Sequence, residues 1–258
     1  MSKPSIIFVT GSFSVPALYD SMFEAVRARG YEIQGFHLLT AGLRAREGRP
    51  GEPPTMYDDA AAIHAVAEKL ADEGKDVILI SHSYGGVPVS ECTKGVSKIE
   101  REQQGKKGGI IHIAYMTSVV PAIGESLATA QQSRSDIPVK VLDNGWMIQE
   151  DPAAIAALIL PDLPADVGTE LVAKFTCHSA VSFSNELTYA GYKDIPTSYL
   201  LCEIDATIPV EFQKRAIENI EKLSGKKVAV TSINAGHIPH VNALPEVVDW
   251  IVDVAEKA

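Results

Sequence analysis

The stretch "VILISHSYGGVPVS", Val77 to Ser90, decides how the chain is read. A run of apolar, β-branched residues stops at Ser81-His82-Ser83-Tyr84-Gly85-Gly86 and gives way to small, helix-compatible residues. One reading is a plain strand-to-helix turn, with glycines for the bend and serines as caps. The other is a nucleophile elbow, in which one serine is held at the tip of a strained turn. On the pattern G-x-S-x-G, "SHSYG" puts Ser83 at the nucleophile, Gly85 at the last glycine and Ser81 in place of the first. Small residues are required there because the sharp turn brings neighbouring backbone atoms close together. A serine at that tip exposes its hydroxyl above the strand ends. The N–H of Tyr84 then points from a helix N-terminus toward developing negative charge. On the pentapeptide alone, both readings stand.

Outward from this turn, short apolar runs alternate with helical patterns, as in a mostly parallel sheet covered by helices. "SIIFVT" reads as a buried strand, followed by Gly11-Ser12 and a helix over about Pro16 to Arg29. "YEIQGFHLL" is a second strand, and "TAGLRAREGRPGEPP" a long loop of the kind that often carries function. Thr55 and Asp58 have capping-box spacing and open the helix "MYDDAAAIHAVAEKLADEG". "DVILIS" leads into the turn, a helix follows to about Gly95, and "GIIHIAYMTS" is another buried strand. Between about residues 121 and 193 the alternation stops, and helical pieces such as "DPAAIAALIL" and "ADVGTELVAKF" appear. This segment reads as a cap inserted into a single domain spanning residues 1–258. The strand "PTSYLLCEID", the helix "PVEFQKRAIENIEKL", the strand "KVAVTSI" and a final helix from about Leu244 resume the pattern.

Composition removes several function classes. The 258 residues carry a formal net charge of -10, with 46% hydrophobic and 22% charged residues. No basic stripe exists to neutralise phosphates, so neither nucleic acid nor an anionic membrane is expected as a partner. The basic residues Lys98, Arg101, Lys106 and Lys107 are diluted by Glu100 and Glu102 and read as a solvated loop. Three cysteines without CxxC spacing argue against a disulfide framework or a zinc site and fit a reducing compartment. Ile6 to Val9 is too short for the apolar core of a signal peptide, so a cytoplasmic protein is expected. No His/Asp/Glu cluster has metal spacing, and the glycines form no phosphate loop, so neither metal nor cofactor is expected.

A serine hydroxyl has little nucleophilic power at neutral pH without an adjacent base. In a sheet of this kind the partners follow in the order serine, acid, histidine, in loops just after strands. "SYLLCEIDATIP" offers Asp205 after an apolar run, and "VAVTSINAGHIPH" offers His237 after the next. Glu203 is a rival acid, but it lies too early for the loop. His82 reads as packing beside the elbow, His240 as a surface or supporting residue, and His64 and His112 as ordinary histidines in apolar patterns.

At these residues the sequence resembles the α/β-hydrolase superfamily. It is most similar to the branch of plant methylesterases, salicylate-binding esterases and hydroxynitrile lyases, with their fungal relatives. The tract "CEIDATIPVEFQ" carries the most specific part of that likeness. The resemblance implies an α/β-hydrolase fold with a mostly parallel central sheet flanked by helices and an inserted helical cap. It also implies Ser83 as nucleophile, Asp205 as acid and His237 as base. Gly11-Ser12 falls where that branch has His-Gly-small, so the N–H groups of Ser12 and Tyr84 form the oxyanion hole, with Phe13 as the alternative to Ser12. Phe13, Trp146, Phe175 and His178 are candidates for the substrate pocket. The implied activity is hydrolysis of a small carboxylic ester or lactone. The lyases of this branch carry a lysine after the catalytic histidine and a threonine near the oxyanion loop; here those places hold Ile238 and Gly11. A ligand receptor that keeps the triad is the other alternative, and a second copy of the chain is the one protein partner left open.

Overall fold

A computed structural model describes residues 3–132 and 137–258. Six strands form one sheet: β1 (Ser5–Val9), β2 (Ile33–Phe36), β3 (Asp76–His82), β4 (Gly109–Met116), β8 (Thr197–Cys202) and β9 (Ala229–Ile233), in the order β2-β1-β3-β4-β8-β9. Strands β5 (Val139–Val141), β6 (Trp146–Gln149) and β7 (His178–Ser179) form a separate sheet. Every pairing in the large sheet is parallel. Parallel strands must be covered on both faces, which is why β1, β3 and β8 read as nearly unbroken apolar runs. Side chains alternate accordingly. Ile6 and Phe8 join the core under helices α1 (Asp20–Ala28) and α10 (Leu244–Lys257). Ile7 and Val9 join the opposite core, under α2 (Met56–Asp72), α3 (Gly86–Glu91) and α8 (Val210–Ser224).

Because the strands are parallel, their carboxyl ends share one edge, where the connecting loops can meet. Strand β3 lies between β1 and β4, so the turn after it faces the loops after both. Strands β8 and β9 continue the row, bringing the segments that follow them to the same edge.

Thr55 and Asp58 form the capping box read from the sequence. The basic stretch that reads from sequence as a solvated loop instead contains helix α4 (Lys98–Gln103), started by a second capping box of Ser97 and Glu100. Arg101 is buried there, 2.7 Å from Asp72 and 3.1 Å from the Gly108 carbonyl, while Lys98 reaches Asp76 at 2.6 Å. A periodicity of six residues is too short to announce itself among charges. The helix α3 also stops at Glu91, short of the expected Gly95.

The segment between β4 and β8 departs from the pattern of the large sheet, and not as helices alone. Beside α5 (Leu127–Ala130), α6 (Pro152–Ile159) and α7 (Ala165–Val172) it forms an antiparallel sheet of β5 (Val139–Val141), β6 (Trp146–Gln149) and β7 (His178–Ser179). The short helix α9 (Pro239–Asn242) follows β9. Ile155, Ile159, Val172 and Phe175 pack with Phe13 and Ile238 of the sheet domain, so the insert's small core is closed by loops from the strand ends. Residues 133–136 of the expected cap lie outside the described residues. Among the described residues, no helix is long and apolar enough to cross a membrane.

Candidate active site

Strand β3 ends at His82 and the chain turns sharply at Ser83, whose φ of 54° lies in the left-handed region. A residue with a Cβ holds that conformation only under strain, which persists when the surroundings over-determine it. They do so here. A Cβ at Gly85 would stand 2.7 Å from the Thr10 carbonyl oxygen, and one at Gly86 2.5 Å from that of Val119. The Val119 N–H donates to the Ser83 carbonyl at 3.0 Å. Ser81, in place of the usual glycine, is small enough to meet the Ser118 hydroxyl at 3.2 Å. The turn is therefore the strained elbow rather than a plain bend.

Loops after three strands bring Ser83, His237 and Asp205 together. The Ser83 Oγ lies 2.9 Å from His237 Nε2, and His237 Nδ1 lies 2.7 Å from Asp205 Oδ2. A carboxylate only accepts, so Nδ1 carries the imidazole proton and the Nε2 lone pair faces the serine hydroxyl. Asp205 is fixed on its other sides. Its Oδ1 accepts from the N–H groups of Thr207 at 2.7 Å and Ile208 at 2.9 Å, and its Oδ2 from the Thr117 hydroxyl at 2.5 Å. Glu203 is exposed and takes a hydrogen bond from Ser232 instead.

The loop after β1 lies against the elbow: a Cβ on Gly11 would be 3.2 Å from that of Ser83. Ser12 lines the same cavity as Ser83. The Phe13 N–H, the alternative donor, is already directed at His178 Nδ1, 3.4 Å away. That contact also settles His178. It is buried among Phe13, Tyr84 and Phe183, with Nε2 3.2 Å from the Ser182 hydroxyl, and it does not line the cavity. Burial pulls its pKa down to about 3. His178 thus braces the loop rather than meeting a ligand.

The cavity above Ser83 has a volume of about 370 Å³. Phe13, Met147, Ile155, Ile159, Phe175 and Phe183 line it. Trp146 does not. Neighbours on a strand point to opposite faces, so Met147 faces the cavity while the Trp146 indole packs on Gly48, where a Cβ would stand 2.5 Å from the ring. Among the described residues, no lining side chain is a Lys, Arg, Asp or Glu; the polar ones are serines, a threonine, two glutamines and two histidines.

Several residues of the site were not singled out from sequence. Thr117 follows β4 at the same edge as Asp205, and lining up the strand ends would have found it. Asp59 accepts from the N–H groups of Leu39 and Thr40 and from the hydroxyls of Thr40 and Tyr84, at 2.6 to 3.1 Å. Its burial outweighs these donors and pushes its pKa up to about 6. The signal was its place, three residues after Met56 and four before Ile63, on the apolar stripe of α2. His240, which reads from sequence as a surface or supporting residue, is buried and stacks on Tyr19 with ring centroids 4.1 Å apart.

Residues 6–250 match the model of the alpha/beta hydrolase family. A relative from Phoma sp., "Probable hydrolase R7", is 30% identical over 255 residues, covering 99% of both chains. The "Pyrethroid hydrolase" of Sphingobium wenxiniae is 24% identical over 268 residues, covering 99% of this chain and 89% of that one. Among solved structures, polyneuridine aldehyde esterase superposes with a TM-score of 0.72 at 17% identity, covering 98% of this chain and 100% of the other. With the fold and the family match in agreement, the chain belongs to the alpha/beta hydrolase family.

Proposed function

We propose that the protein is a serine hydrolase that cleaves a small, uncharged carboxylic ester or lactone through an acyl-enzyme. The observation that carries the reading is the hydrogen-bonded row Ser83–His237–Asp205, with the serine strained at the tip of its turn. In this reading His237 Nε2 takes the Ser83 proton as Oγ attacks the carbonyl carbon. The carbonyl oxygen gains negative charge between the N–H groups of Ser12 and Tyr84. Asp205, anchored by Thr117 and two backbone N–H groups, holds the imidazole in the tautomer that can accept at Nε2 and favours the imidazolium once formed. The imidazolium then returns its proton to the departing alkoxide; for a lactone, the leaving alcohol stays attached to the acyl group. Water, deprotonated by the same histidine, attacks the acyl-enzyme and restores the serine.

The insert over residues 121–193 is assigned as a cap that holds the substrate and limits water. Its walls favour apolar, neutral groups, because an unpaired charge in such a cavity would lose its hydration without compensation. Relatives named as hydrolases and esterases support the reaction class.

The test is a panel of aryl and alkyl esters and lactones, with product identification, assayed on wild type and Ser83→Ala. Turnover confined to neutral apolar substrates and absent from the variant supports the reading. Turnover retained by Ser83→Ala contradicts it.

A further inference from the structure

Beneath the candidate site lies a second chain of hydrogen bonds that the hydrolytic steps leave unused. The Gly11 N–H donates to Tyr19 Oη at 3.2 Å. Tyr19 Oη lies 2.8 Å from His82 Nδ1, and His82 Nε2 lies 2.7 Å from the His237 carbonyl oxygen. Both side chains are only 1% exposed. The direction of every proton follows from its far end. A carbonyl can only accept, so Nε2 of His82 carries the hydrogen. Burial keeps His82 neutral, so Nδ1 is then an acceptor, the Tyr19 hydroxyl donates to it, and the hydroxyl's lone pairs are left for the Gly11 N–H. Of the two tautomers of neutral His82, only this one satisfies all three contacts.

The two ends of this chain are functionally distinct. Gly11 precedes the peptide whose N–H belongs to Ser12, and a Cβ on Gly11 would stand 3.0 Å from His82 Nδ1. The other end is the backbone of His237 itself. His82 is also the residue next to Ser83. Tyr19 is clamped in turn, with His240 stacked on it at 4.1 Å and Phe8 at 5.0 Å. Burial and the facing rings of His237 and His240 hold the His82 imidazole neutral, well below its usual range.

Resting on the serine-hydrolase reading, we infer that Tyr19 and His82 are positioning residues that fix the oxyanion loop and the backbone of the base in one register about Ser83. They touch no reacting atom. Their part is to hold, through one tyrosine–histidine pair, two loops that arrive from strands on opposite sides of β3.

The test uses Tyr19→Phe, which keeps the ring packing and removes only the hydroxyl. Tyr115→Phe is the control, because Tyr115 is equally buried and bonds Ser90 at 2.9 Å away from this network. The readouts are the rate of Ser83 labelling by a small phosphonate, ester kcat and KM, thermal stability, and the ¹⁵N shifts of His82. A misplacement of about 1 Å costs a reacting group ~10²-fold, so Tyr19→Phe is expected to slow labelling and kcat by about 10- to 100-fold with KM little changed. Tyr115→Phe should lose comparable stability without that fall. His82→Gln, which keeps a donor and an acceptor, should lose less than His82→Leu, which keeps neither. In wild type, the ¹⁵N shifts should show His82 neutral with its proton on Nε2. Labelling by Tyr19→Phe within about twofold of wild type overturns the proposal, as does an equal fall in Tyr115→Phe or a proton on Nδ1 of His82. Failure of the wild type to be labelled at Ser83 contradicts the hydrolase reading instead, and the two failures are distinct.

Discussion

At Asp205, four hydrogen bonds converge on one buried carboxyl group, and three of them do not involve His237. That arrangement separates Asp205 from its nearest acidic neighbour in sequence. Asp205→Asn should keep the shape of the loop but favour the wrong imidazole tautomer, lowering kcat by on the order of 10⁴. Glu203→Gln should change kcat by less than about tenfold, since it removes only a charged partner of Ser232 at the surface. Steady-state kinetics of the two variants, side by side, checks the assignment; reversed effects would move the acid to Glu203. Both partners of Ser83 were legible in sequence because each follows an apolar run, and parallel strands send such positions to one edge. Tyr19 was not, because its role depends on what faces it across the fold, while Thr117 and Asp59 carry only positional signals, one at a strand end and one on the apolar stripe of α2.

Strands β1, β3, β4 and β8 are readable for the same reason that they are stable, since strands buried on both faces admit few polar residues, whereas the edge strand β9 is largely exposed. The insert between β4 and β8 was legible as a break in that pattern but not in its detail. Strands β5, β6 and β7 contain three, four and two residues, too few to display alternation. The face of Trp146 therefore had to come from the structure. The consequence is testable. Trp146→Ala should cost about 3–5 kcal/mol of stability through the cavity left over Gly48, with relative rates among esters preserved. Phe175→Ala and Met147→Ala enlarge the cavity above Ser83 and should change those relative rates by about 10-fold or more for the bulkier esters. Chemical denaturation and a competition assay across esters separate the two outcomes. Selectivity shifted by Trp146→Ala and untouched by the other two would place the cavity wall on the wrong face of β6.

At the scale of the whole molecule, burial has a cost that depends on pH. Burial holds His178 and His240 down to about 3, His112 down to about 4, and His82 well below its usual range. In the unfolded chain each titrates near ~6.5. The stability they supply is therefore fully present above that value and is lost as pH falls, because the unfolded state takes up protons that the folded state refuses. Asp59 acts in the opposite sense. Raised from 3.8 to about 6, it makes the folded state the better proton acceptor between those values, offsetting one of the four histidines. Because the lowered histidines outnumber the one raised carboxyl group, unfolding free energy should fall by more than one proton's worth, over ~1.4 kcal/mol, per pH unit near pH 5. Urea unfolding from pH 4.5 to 7 measures that slope. A slope of about one proton or less would mean that these histidines are protonated within the fold.

Whether Ser83 is the nucleophile is tested most closely by a covalent measurement. After reaction with a serine-reactive phosphonate, intact mass and peptide mapping should find a single adduct, on Ser83. Ser83→Ala should take up none and should lose ester turnover by up to ~10⁶-fold in kcat while keeping its fold. An adduct on Ser81, or turnover undiminished in Ser83→Ala, would contradict the account.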